Sequence, residues 1–354
     1  MPAAARRVAS LALVLALGLC QIASAQERRF TLSGERIAIY NLAGTVVVEP
    51  GSGNAVTVVA RLGGADANEL RFEEGPIEGM TTLRVIYPGN RIIYRAPGFE
   101  GNTQVGVSDE GRFGSSDSWR RRKVTISSRG TGTEAWADLR IQVPRGQSID
   151  VNLAVGKMSA TNVDGRLSLD AGSADITVTG AKGALSVDVG SGNVSLNGAQ
   201  GDVSVDTGSG DVGLRQVAAD MLSVDTGSGN VTGTGLSATA VNVDTGSGNV
   251  ELGALSSPQI SVDTGSGDVT LDLTTPVSQL DVDTGSGNVT VRAPANLNAT
   301  VSLETSSGDL ETDFPLQVRR TGSDELHGKI GNGQGTINVE TGSGDVRLLQ
   351  REGK

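Results

Sequence analysis

The sequence predicts an all-β fold, a single-chain β-solenoid wound by default as a right-handed β-helix or β-roll, with rungs of about 18–21 residues and terminal caps. Three observations carry that prediction. The string Val-Asp-Thr-Gly-Ser-Gly occurs five times, with its acid at Asp206, Asp225, Asp244, Asp263 and Asp283. Looser copies led by Asp170, Asp188, Glu304 and Glu340 flank it, at steps of 18 to 21 residues until a last step of 36. A fixed period near 20 residues marks units that stack on one another as rungs. Finally, 50 glycines with only 3% aromatic residues would suggest low complexity, but strict periodicity argues for order.

Residues 1–25 read as a secretory signal peptide. Arg6 and Arg7 form its basic end, Leu11 to Leu19 its apolar core, and Ala23-Ser24-Ala25 its cleavage site. Cys20 follows Leu19 where a lipoprotein signal wants a small residue, so cleavage before Gln26 is favoured. The chain that remains has no cysteine, hence no disulfide, and no stretch apolar enough to span a membrane.

Residues 26–149 form an N-terminal strand region. Ile37-Ala38-Ile39, Thr45 to Val48, Val56 to Val59 and Leu83 to Ile86 alternate or run β-branched, and Asn41 to Val46 resembles a degenerate rung corner. Within this region, residues 89–135 lack rung periodicity and read as an exposed, partly disordered insertion. Their run Arg120-Arg121-Arg122-Lys123 beside Trp119 is a candidate for an anionic glycan or phospholipid headgroup, although such runs are more often solvated loops. Strands restart at Leu139 to Pro144.

Residues 150–314 are the regular solenoid. A representative rung, residues 197–214, divides into two halves of nine, each a Gly-rich turn and a short alternating run. Period two places Val203, Val205 and Thr207 inward and Ser204 and Asp206 outward, with Gly208-Ser209-Gly210 as the corner. One rung cannot bury its own apolar face, whereas nine at ~4.8 Å spacing give a rod of roughly 40 Å. The lengthening period implies that the opposite corner grows, from Gly198–Gly201 to Leu255–Gln259 to Ala293–Asn298. Residues 315–354 read as capping rungs, ending in Ile337 to Val339 and Val346 to Leu348.

Charge is unevenly placed. Residues 26–149 carry a net +2, residues 150–314 a net −16 and residues 315–354 a net +1. So acidic a rod repels nucleic acid and anionic lipid and attracts cations.

Several motifs taken together resemble a known family. "Leu-Arg-Ile-Gln-Val-Pro-Arg-Gly" at 139–146 precedes the repeated rungs. "Leu-Glu-Thr-Ser-Ser-Gly-Asp-Leu-Glu-Thr-Asp-Phe-Pro-Leu" at 303–316 and "Gly-Gln-Gly-Thr-Ile-Asn-Val-Glu-Thr-Gly-Ser-Gly-Asp-Val-Arg-Leu" at 333–348 close them. Behind a signal peptide, this resembles the bacterial putative-adhesin family of β-strand-repeat proteins, a domain of unknown function. The resemblance implies an envelope β-solenoid with no agreed catalytic residue, so no site residue carries over.

Chemistry-bearing motifs have competing readings. Asp-Thr-Gly-Ser is also an aspartic-protease signature, but that chemistry needs two carboxylates sharing one proton, and here the motif recurs on every rung. Calcium-binding β-rolls use nine-residue Gly/Asp repeats, which makes Asp206, Asp225, Asp244, Asp263 and Asp283 calcium candidates. Against this, the residue after the second Gly alternates between Asp (Asp211, Asp268, Asp345) and Asn (Asn193, Asn230, Asn249, Asn288), and Glu304 and Glu340 replace the first acid. EF-hand and nucleotide-fold readings fail on spacing and context. His327, the one histidine, reads as a turn or surface residue, and a zinc site or thiol nucleophile has no material. Polysaccharide lyases on β-helices pair acids with Lys or Arg, but here Lys157, Arg166, Lys182, Arg215 and Arg292 are widely spread.

The expected function is that of an exported, non-enzymatic solenoid in the periplasm, on the outer surface or outside the cell. It would work as an adhesin or structural element against a protein or an envelope glycan surface, with no cofactor. A calcium-dependent β-roll module and a polysaccharide-active enzyme are the alternatives.

Overall fold

Alternating Val, Leu and Ile positions, repeated at one period, should stack rung on rung, and they do. The computed structural model describes residues 27–95, 99–114 and 121–351, and its long sheet is built of in-register parallel rungs. Strand Val203–Ser209 lies between Leu185–Ser191 and Ala218–Ser228, with Asp206 opposite Asp188 on one side and Asp225 on the other. Strand Val212–Arg215 forms a second ladder of the same kind. A one-residue bridge, Lys182 to Gln200 to Ala218, forms a third. Val203, Val205, Val212, Leu214 and Val217 all point into the core. The proposed signal segment 1–25 lies outside the described residues.

The Gly-Ser-Gly corner follows from rung spacing. A Cβ on Gly210 would sit 2.1 Å from the Gly192 carbonyl oxygen of the preceding rung, at a φ of +142°. Only glycine fits so close a backbone approach. From Thr245 onward the buried threonine before the corner turns its hydroxyl to the neighbouring corner, most closely where Thr341 Oγ1 donates to Gly287 O at 3.0 Å and Thr305 Oγ1 to Gly344 O at 2.9 Å.

The residue after the second glycine closes the joint between rungs. Asn193 N donates to Asp175 Oδ1, Asp211 N to Asn193 Oδ1, and Asn230 N to Asp211 Oδ1, at 2.8–3.0 Å. The ladder continues through Asn249, Asp268, Asn288, Asp345 and Asp309. Each step requires one side-chain oxygen as acceptor, which Asp and Asn both supply. Their interchange along the chain therefore has a structural cause.

The N-terminal region joins the stack. Strand Arg36–Pro50 is a full rung paired in parallel with Gln147–Thr161, and Gly44 lies opposite Gly156 as the expected corner. The second half of that rung then pairs with Trp136–Val143, and the first half with Met80–Ile86. The insertion is a correction to the sequence reading. Its described residues fold as a four-stranded sheet of Arg91–Ile93, Asn102–Val107, Arg122–Ser127 and Thr133–Glu134. Ile92, Val107, Val124 and Ile126 are buried in it. Each strand is too short for its alternation to stand out in the sequence.

The C-terminal cap also differs from expectation. Strand Gly335–Thr341 does not lie at the end of the rod. It inserts between Gln279–Thr284 and Ala299–Thr305, in parallel register with both. Val346–Gln350 does the same on the second ladder, between Val289–Ala293 and Leu310–Thr312. The outermost strands are the antiparallel pair Gln317–Thr321 and Glu325–Ile330. The 36-residue step before Glu340 is the length of chain that runs out to the end rung, turns back and threads inside it.

Candidate functional site

The five calcium candidates stand where the alternation puts them. Asp206, Asp225, Asp244, Asp263 and Asp283 are exposed and stacked one per rung, continuing to Glu340 and Glu304. A parallel column of Ser168, Ser186, Ser204, Ser223, Asn242 and Ser261 runs beside them on the same face. Among the described residues no three His, Cys, Asp or Glu side chains are grouped to hold a metal ion. Desolvation, then the neighbouring acids, raises the carboxyls of Asp206 and Asp244 above the usual range.

At one end this column runs under the insertion. Gly114 lies against Asp170, with 3.0 Å between the Cβ it lacks and Asp170 Oδ2, and Phe113 packs edge-on to Tyr40. Burial, then Asp188, pushes the Asp170 carboxyl up to about 6. The basic run is only partly in view: Trp119 and Arg120 lie outside the described residues, Arg121 is engaged within the protein, and Arg122 donates to Tyr87 O at 3.4 Å.

His327 sits on strand Glu325–Ile330 and not in a turn. Its Nδ1 is 3.0 Å from Ser302 Oγ, and its Nε2 is 3.5 Å from Glu325 and 3.9 Å from Glu304. Ser302 Oγ also donates to Glu304 Oε1 at 2.9 Å. The serine hydroxyl therefore lies within hydrogen-bonding reach of both the Glu304 carboxylate and the His327 imidazole.

A cleft of about 970 Å³ on the second ladder has no signal in the residue pattern; three others measure about 500–560 Å³. It forms where the rungs lengthen. The pairing of Val250–Ser256 with Val269–Leu273 shifts register between Leu252 and Leu255, and Ala254 takes a φ of +50° there. Such a bulge bends the strand and re-aims its side chains. The lengthened corners, with Gly253, Thr274, Pro294 and Ala295, wall the cleft. The inserted C-terminal strand brings Arg351 within 2.8 Å of Asp272, an ion contact outside hydrogen-bonding alignment. Arg292 lies between Asp272 and Leu349 in the ladder, exposed and without an ion-pair partner among the described residues. The spread of cations in the sequence is thus reversed locally, because Arg351 arrives from about 60 residues further along the chain.

No helix among the described residues is long and apolar enough to cross a membrane. No curated protein matches the chain. Among solved structures, a putative lipid binding protein from Parabacteroides distasonis is similar over 94% of this chain and 98% of its own, at 10% identity and a TM-score of 0.41. A putative cell adhesion protein from Clostridium sporogenes is similar over 93% of this chain and 100% of its own, at 9% identity and a TM-score of 0.21. The sequence model of the Toastrack DUF4097 domain matches residues 136–349, from the strand that restarts the rungs to the last inserted one, so the chain belongs to the Toastrack DUF4097 family.

Proposed function

We propose that the protein is an exported, non-enzymatic solenoid that makes surface contacts in the cell envelope, as an adhesin or structural rod. The observation that carries this reading is the paired Ser and Asp columns on one face. From Ser186/Asp188 to Ser261/Asp263 the same outward pair recurs at rung spacing, with Asn242 the one variation. A face of repeated, identical polar groups suits an extended partner with its own repeat, such as an envelope glycan or a protein array, bound by many weak contacts. The reading of residues 1–25 as a signal peptide supports export.

The test uses the mature chain immobilised on a sensor surface and isolated envelope fragments in solution. Deleting one whole rung (residues 206–224) or two (residues 206–243) shortens the face without changing register. Retention should fall stepwise with rung number while circular dichroism keeps its β signature. Retention no greater than on a bare surface would overturn the proposal.

A further inference from the structure

We infer that the cleft at the lengthened corners binds a saccharide chain carrying spaced carboxylates, a finer assignment that rests on the envelope-contact reading. Arg292 supplies the recognition element. Its guanidinium is exposed in a concave site, is unpaired among the described residues, and offers a planar fork that matches a carboxylate. The other charges are engaged or placed for hydroxyl groups. Arg351 faces Asp272, and Asp313 Oδ1 accepts from Gln350 N at 2.7 Å. Glu251 and Thr270, partners in register on the floor, and Thr274 on the wall provide acceptors and donors for sugar hydroxyls.

Long-range charge narrows the ligand. The surrounding 150–314 segment carries a net −16, which disfavours a polyanion charged on every sugar. A chain with acidic sugars alternating with neutral ones meets one guanidinium with one carboxylate and spaces the rest. The cleft's volume lies in the range that takes a small ligand or a few sugar units. The period that grows along the sequence thereby acquires a purpose: the added corner residues raise a wall over an otherwise flat ladder.

The experiment is calorimetric titration of the full mature protein with three probes. These are a hyaluronan-type tetrasaccharide (uronate alternating with N-acetylated amino sugar), neutral chitotetraose and tetragalacturonate. The alternating probe should bind, and the other two should bind at least about tenfold more weakly, the value of one charge-assisted carboxylate contact. Arg292→Ala should lower affinity for the alternating probe by about 10- to 100-fold with an unchanged thermal melt, and Arg292→Lys should recover part of it. Equal affinity for the alternating and neutral probes, or full affinity in Arg292→Ala, would overturn the assignment. Envelope retention that survives in Arg292→Ala alongside either result would sink the cleft alone and leave the surface-contact reading standing.

Discussion

Val243 and Asp244 are adjacent in the chain and face opposite ways. Val243 is 1% exposed between Val224 and Val262, whereas Asp244 is exposed between Asp225 and Asp263. Val243→Asp buries a charge among apolar neighbours and should cost roughly 3–5 kcal/mol. Asp244→Asn removes repulsion and should be neutral or slightly stabilising; thermal melts with calcium and with chelator compare the two. Damage from Asp244→Asn confined to calcium-containing buffer would mean that the acids are ligands. Thr226 offers a second contrast, because its buried Oγ1 has no hydrogen-bond partner among the described residues while Val189 fills the same ladder two rungs earlier. Thr226→Val should raise stability by about 1 kcal/mol in urea unfolding. Asp170 sets a pH dependence. Its folded-state value of about 6 lies above the ordinary 3.8, so the protonated form favours folding. That contribution is complete below about pH 4 and is lost as pH rises through about 6. Asp170→Asn should flatten the loss, leaving the variant about 1–3 kcal/mol more stable than the parent at pH 7.

The joint between corners is held by a ladder of side-chain to backbone hydrogen bonds. Asn249 Oδ1 accepts from Asp268 N at 2.9 Å, and Asn249 N donates to Asn230 Oδ1. Asn249→Asp keeps the acceptor and should change stability by less than about 0.5 kcal/mol, whereas Asn249→Ala leaves a backbone donor without its partner and should cost about 1 kcal/mol. Urea midpoints of the two variants check the order; a costlier Asp would assign the position to charge instead of hydrogen bonding. The sequence showed that Asp and Asn interchange here but not which atom accepts, since the donor sits one rung away. The other corner behaves in the same way. Asn162, Gln216 and Ala254 all hold φ near +50°, a conformation that a glycine pattern cannot reveal because these residues are not glycine.

At the scale of the molecule, the rod is modular in its middle and locked at its end. Removing residues 206–224 takes out one 19-residue rung and joins Val205 to Asp225 in register, so the variant should still melt cooperatively. Ending the chain at Gln334 removes an internal rung instead, one that supports neighbours on both sides of both ladders. That truncation should lower the melting temperature well beyond the single-rung deletion, as differential scanning calorimetry would show. A smaller drop would mean that the end rung at Ala299–Thr305 closes directly onto Gln279–Thr284.

The solenoid, the inward Val and Leu ladders, the outward acids and the position of the main corner are all legible in the residue order. Those features are local: strand alternation has period two, the rung has a fixed period, and both are written in consecutive residues. Tertiary structure alone decided three others. The order of the last rungs was exchanged, because any Thr-Gly-Ser-Gly rung stacks on any other and the motif cannot say which neighbours it meets. The insertion became a packed sheet, because its short strands gain apolar burial only from one another. The cleft took its shape from Arg292 and Arg351, whose separation in sequence hides a proximity created by the strand that threads back between two rungs.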